Sequence, residues 1–173
     1  MSMYRFALAS LFVIMGHAHA AQGPGLGDSL DPGSLQKHDF TILPDGAGLP
    51  PGSGSVEEGA KLYTQHCQAC HGEDGQSGSN DALAGGLGSL TSAKPVKTVG
   101  SFWPYATTVF DYIRRAMPYA APGSLSADQT YAVTAWLLYI NDIIDEDTRL
   151  SARTLPNIEM PNRRGFVWSE EVR

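Results

Sequence analysis

Only two cysteines occur in this chain of 173 residues, and they stand three apart in Cys67-Gln68-Ala69-Cys70-His71. This C-x-x-C-H run constrains the fold more than any other stretch, because it is the signature of covalent c-type haem attachment. Two thiols at that spacing share one helical turn, where both reach the vinyl groups of one porphyrin and form thioethers. His71 comes next and offers the iron an imidazole nitrogen as its first axial ligand. A redox dithiol, a structural disulfide and half of a zinc site are the competing readings. A dithiol oxidoreductase ordinarily carries its pair beside a βαβ pattern, and none is visible. Zinc wants more Cys or His at ligand spacing, and the chain has no third cysteine.

The length suits one domain plus extensions. The first 20 residues read as a secretory signal: Arg5, an apolar run from Phe6 to Met15, then Ala18-His19-Ala20 as a small-x-small cleavage site. The apolar run is too short for a permanent membrane anchor. Cleavage after Ala20 and a soluble periplasmic protein are therefore expected. Losing Arg5 leaves 11 Lys+Arg against 18 Asp+Glu, a net charge of -7 where the full chain has -6. Nucleic acid is excluded as a partner, since phosphate binding needs a basic face. An acidic balance instead favours solubility and steers a basic docking partner. Arg114-Arg115 and Arg163-Arg164 stand out, although paired arginines are commonly just solvated surface.

Residues 21–54 form a Gly/Pro-rich extension, with Gly23-Pro24-Gly25, Asp31-Pro32-Gly33 and Leu49-Pro50-Pro51-Gly52. Such breakers leave no helical or strand period. Phe40-Thr41-Ile42-Leu43 reads as a short extended segment that lies on the domain or on a partner. The folded domain spans 55–141. Ser55-Val56-Glu57-Glu58 is a capping box, and Val56, Ala60, Tyr63 and Cys67 follow at helical spacing. Gly59 would let another helix cross closely, with Tyr63 packed beside it. From Gly72 to Gly100 the chain is mostly glycine-rich loop, able to fit closely against a flat ligand. A second helix is expected to start at Trp103-Pro104, with Pro104 at the favoured first position, and to end at Pro118. Trp103 is a candidate haem-propionate contact through its indole N–H, or a plain core tryptophan. The third helix opens on another capping box, Ser126-Ala127-Asp128-Gln129, and runs to about Asn141. Residues 142–173 form an acidic C-terminal extension that wraps the domain or binds a partner. The architecture is all-α, with a covalent haem supplying much of the buried apolar surface.

The ligand opposite His71 decides the chemistry. A thioether favours ferrous iron, raises the potential and closes the site to small molecules. Removing residues 1–20 leaves two methionines, Met117 and Met160. Met117 follows one helix and precedes the next in a Met-Pro loop, the usual presentation in small c-type cytochromes, and it is preferred. A methionine there is equally a flexible core filler. Met160 sits in a second Met-Pro, beyond the final helix. His38 is a remoter candidate, and His66 is disfavoured because it directly precedes Cys67.

These features resemble class I cytochromes c. More specifically, residues 40–166 resemble the monohaem cytochrome subunits of bacterial sulfite dehydrogenases and the related cytochrome subunit of the thiosulfate-oxidising Sox system. The resemblance rests on Leu43-Pro44-Asp45-Gly46, Gly48 to Gly54, Asn80-Asp81 and Gly85-Gly86-Leu87-Gly88-Ser89-Leu90. It continues through Phe102 to Thr108, Arg115-Ala116-Met117-Pro118, Pro122 to Ser126, and Leu155-Pro156 to Arg163. It implies an electron-transfer protein rather than an enzyme. Its donor would be a molybdenum sulfite-oxidising subunit, and its acceptor a later cytochrome or oxidase. The rival readings are a haem with an open or labile sixth site, and a free shuttle serving several dehydrogenases. One departure stands out: many class I cytochromes have a Gly-Pro after the haem motif, whose carbonyl accepts the histidine N–H. Here no proline occurs from Gly72 to Leu90, so the partner of His71 is left unassigned.

Overall fold

The computed structural model describes residues 27–167, so the expected signal segment 1–20 lies outside the described residues. Two compact units divide the chain between His38 and Asp39. In the first, α1 (Pro32–His38) is a helix where none was expected. Asp31-Pro32-Gly33, read as a breaker, works as a helix start. The Asp31 carboxylate accepts the N–H groups of Gly33 and Ser34 at 2.8 and 3.2 Å, and Pro32 takes the first helical position, where its missing N–H costs nothing.

The second unit is built on α2 (Val56–His66), α4 (Ala106–Ala116) and α5 (Ala127–Tyr139), with α3 (Gln68–His71) as a single turn behind α2. Both capping boxes form. Ser55 Oγ accepts from Glu58 N while Glu58 reaches back to Ser55 N, and Ser126 and Gln129 repeat the exchange. Gly59 is the crossing point of α2 and α5. A Cβ there would overlap the Ala132 carbonyl and stand 2.8 Å from Trp136 Cβ. Tyr63 packs beside the crossing, its ring centroid 6.2 Å from that of Trp136. Phe110 of α4 stacks on Tyr131 of α5 at 4.4 Å, which ties the third helix to the pair.

α4 begins two residues later than the proline suggested. Tyr105 is extended (φ -139°, ψ 131°) and acts as its N-cap. The C-terminal segment holds this approach: Asn162 Nδ2 donates to the Phe102 carbonyl at 2.7 Å, and the Arg163 guanidinium covers the Tyr105 ring at 4.0 Å. The expected end holds, because Pro118 forces Met117 into extended backbone (φ -124°, ψ 148°).

Within the second unit, the residues before α2 and those after α5 close on the helices. β1 (Ser53–Ser55) pairs antiparallel with β2 (Arg149–Ser151), with Gly54 opposite Leu150. The anticipated boundary at Ser55 therefore falls inside a strand, and Asp39 already belongs to the second unit. Ile42 and Leu49 pack on the core, while Arg115 donates to the Phe40 carbonyl and Arg114 lies 5.4 Å from the Phe40 ring. Leu150, Leu155 and Met160 of the C-terminal extension are core residues. Among the described residues, no helix is long and apolar enough to cross a membrane.

Candidate haem site

The cysteine-histidine run forms a turn of its own. α2 stops at Cys67, whose backbone (φ -123°, ψ -40°) leaves the helical region while its N–H still donates to Tyr63 O at 2.9 Å. Cys70 N and His71 N then both bond Cys67 O, at 3.1 and 3.0 Å. The turn puts Cys67, Cys70 and His71 on the wall of one cavity of about 540 Å³. That volume lies within the roughly 300–1,000 Å³ typical of cofactor sites. Val109 and Ile113 of α4, and Val133 and Leu137 of α5, give it apolar walls.

His71 Nδ1 lies 2.9 Å from the Asp81 backbone carbonyl. A carbonyl only accepts, so Nδ1 carries the proton and Nε2 keeps the lone pair that binds a metal. This is the partner that the sequence left unassigned. It is a main-chain atom in the proline-free stretch from Gly72 to Leu90, and so it leaves no residue-type signal. Tyr63 fixes the start of the same loop, its hydroxyl donating to Gly72 O at 2.8 Å, and burial pushes its phenol up to about 12.

Met117 and Trp103 also line the cavity. Trp103 is braced edge-on by Tyr112 at 5.6 Å. Met160 is elsewhere, 1% exposed in the hydrophobic core and not among the lining residues. His38 closes α1 and is exposed, and His66 stands exposed on the cavity rim one residue before Cys67. The structure thus gathers Cys67, Cys70, His71, Trp103 and Met117 round one space and leaves Met160 out of it.

The donor set argues against the competing chemistries. Both cysteines are free thiols, and burial pushes the Cys67 thiol up to about 11. A redox dithiol needs the reverse, a thiol whose pKa is lowered to yield thiolate. Among the described residues, no three His, Cys, Asp or Glu side chains cluster as ligands for a bare metal ion. An apolar cavity edged by two free thiols, an oriented imidazole and a thioether fits a haem c.

The family model for cytochrome c matches residues 56–141. Among solved structures, a chain in the crystal structure of the sulfane dehydrogenase SoxCD from Paracoccus pantotrophus is 43% identical. The two superpose with a TM-score of 0.79, and the match covers 87% of this chain and 74% of that one. The chain belongs to the class I c-type cytochromes. No curated protein matches it. The cytochrome carries one covalently bound haem c, with the Cys67–Cys70 pair in the attachment motif, and it is an electron-transfer haem protein rather than a catalyst. When bound, the haem supplies a one-electron iron couple, and the chain supplies axial ligation, a dry apolar shell and a fixed orientation.

Proposed function

We propose that this cytochrome is the haem subunit of a sulfur-oxidising dehydrogenase. It takes electrons singly from a molybdenum sulfite-oxidising partner and passes them to a later cytochrome or oxidase. The observation that carries the reading is the 43% identity to a chain of sulfane dehydrogenase SoxCD, spread over 87% of this chain. Such a span reaches well beyond the haem domain at 56–141 and takes in much of the extensions. Oxidation of sulfite to sulfate releases two electrons, so each turnover on the partner reduces the cytochrome twice in succession. In this reading Cys67 and Cys70 hold the haem as thioethers, His71 is the proximal ligand and Met117 the distal one. Trp103 serves a propionate through its indole N–H. A second reading keeps the cytochrome's role and changes the donor's substrate from sulfite to sulfane sulfur, as the name of the SoxCD enzyme favours.

The cytochrome works in the periplasm, after cleavage at about Ala20. Arg5, the apolar run to Met15 and Ala18-His19-Ala20 support this. A mature mass that begins at Ala21 is the expected result, and an intact N-terminus in the haem-loaded protein would refute it.

The decisive experiment tags the cytochrome in its native host, purifies it gently and adds sulfite without oxygen while the reduced haem band is watched. Rapid reduction is expected, with a molybdenum subunit co-purifying. Protein made in a host lacking the partner controls for direct chemical reduction. Reduction by a protein-bound persulfide and not by sulfite selects the sulfane reading. Reduction by neither, with no molybdenum subunit present, rejects both.

A further inference from the structure

The loop that follows the haem turn has little regular structure, yet its backbone is pinned at successive points. Asp74 Oδ1 accepts the N–H groups of Gln76 and Ser77 at 2.8 and 2.9 Å and the Ser77 hydroxyl at 2.8 Å, which curls residues 74–77 into a tight turn. Gly78 then lies flat on α3. A Cβ at that position would overlap the Cys70 carbonyl and stand 2.5 Å from His71 Cα. Asn80 N–H donates to the same Cys70 carbonyl at 3.0 Å. One residue later, the Asp81 carbonyl takes the His71 Nδ1 proton at 2.9 Å. Past that point, Leu83 O accepts from Asn141 Nδ2 at 3.0 Å, so the far end of the loop is held from two residues beyond α5.

We propose that Gly78 is a positioning residue: its bare backbone seats the Asp81 carbonyl on His71 and thereby sets the reduction potential of the haem. The inference rests on reading His71 as the proximal ligand. A carbonyl that accepts from Nδ1–H pushes electron density into the ring and makes Nε2 a stronger donor. A stronger donor favours ferric over ferrous iron and lowers the potential. A methyl group at position 78 meets backbone atoms of Cys70 and His71, which cannot swing aside as a side chain would. The loop must lift instead, carrying the Asp81 carbonyl away from the ring. Since alanine adds no charge, any change in potential reports the lost hydrogen bond rather than a new field.

The test uses the haem-loaded protein and compares Gly78→Ala with Gly88→Ala. Gly88 sits at φ +76° in open space outside the cavity, so its variant strains the same stretch of loop without touching α3. Two quantities are read: the midpoint potential by spectroelectrochemical titration, and hydrogen exchange of the His71 ring N–H by NMR of the reduced protein. Gly78→Ala is expected to raise the potential and speed the exchange severalfold. Gly88→Ala is expected to lose stability with both readouts unchanged. An unaltered potential and exchange rate in Gly78→Ala overturns the proposal, however much stability is lost. Should Gly78→Ala fail to accumulate with haem, Ser77→Ala decides. That variant loosens the turn without altering charge: a smaller rise in potential upholds the proposal, and none overturns it. Failure of the haem reading itself would show earlier, as a wild-type protein without covalently bound low-spin haem.

Discussion

Two methionines compete for one coordination site, and the structure gives them opposite surroundings. Met117 lines the cavity at the end of α4, whereas Met160 is 1% exposed and packed in the core. Replacing each by alanine should therefore have separable consequences. In Met117→Ala the ferric thioether-to-iron absorption band disappears, the ferric haem turns high-spin, and the midpoint potential falls, because a thioether favours ferrous iron. In Met160→Ala the band stays and stability pays the cost. Truncating a fully buried methionine to alanine costs about 2–5 kcal/mol. For a chain of this size each kcal/mol shifts Tm by about 2–4 °C. The expected fall is then roughly 4–20 °C, read by calorimetry on haem-loaded protein. Loss of the band in Met160→Ala with retention in Met117→Ala would transpose the ligand and refute the reasoning. Absence of the band from the wild-type protein would remove methionine from the iron altogether and turn attention to His38.

Gly59→Ala forces a methyl into the Ala132 carbonyl. Overpacking of about 1–3 kcal/mol should outweigh the gain of about 1 kcal/mol in helix propensity, and an unchanged or raised Tm would show that the crossing yields. Tyr131 donates to Pro50 O at 2.9 Å, and burial pushes its phenol up to about 12. A raised acid favours folding fully below its unfolded value near 10 and loses that advantage as pH climbs toward 12. Stability should thus drop by about 2 kcal/mol from this group between pH 9 and 11.5, seen in denaturant midpoints. Tyr131→Phe should flatten that part of the profile, and an equally steep profile in the variant would refute the assignment. Deleting residues 145–173 removes Leu150, Leu155 and Met160 from the core. At about 1.5–3 kcal/mol per buried side chain, the loss rivals a typical total stability of about 5–15 kcal/mol. The truncated chain should fail to accumulate with haem, and a truncated protein melting within a few degrees of wild type would contradict the packing.

The most local signals were the most legible. Ser55 with Glu58, and Ser126 with Gln129, are complete within four residues, so sequence alone sets both helix starts. Met117-Pro118 is as short-range, since the proline ring dictates the conformation of the residue before it. Gly59 could be read because helical spacing puts it on the face beside Tyr63. What escaped notice depends on partners far along the chain. Ser53-Gly54-Ser55 becomes a strand only because Arg149 to Ser151 lies against it, and no alternating pattern marks either strand. Tyr105 caps α4 where the C-terminal segment contacts it. Asp81 reaches His71 through a main-chain oxygen, which any residue type could supply. Asp31-Pro32-Gly33 is ambiguous in itself, because one tripeptide carries both a breaker and a helix-start signal, and the start signal prevails.

The extensions also bear on how a redox partner would be met. Arginines that looked like spare surface charge are engaged: Arg114 and Arg115 clamp Phe40, and Arg163 covers Tyr105. The C-terminal extension fills the core with Leu150, Leu155 and Met160 rather than offering them outward. The three helices supply most of the buried core beside a cavity of about 540 Å³, and Leu150, Leu155 and Met160 complete it. The segment from Leu150 to Met160 is therefore structural. Around the cavity itself, Tyr119 and Tyr112 line the wall yet remain 84% and 49% exposed. Large aromatic rings left in water beside a redox centre offer contact area at low ordering cost.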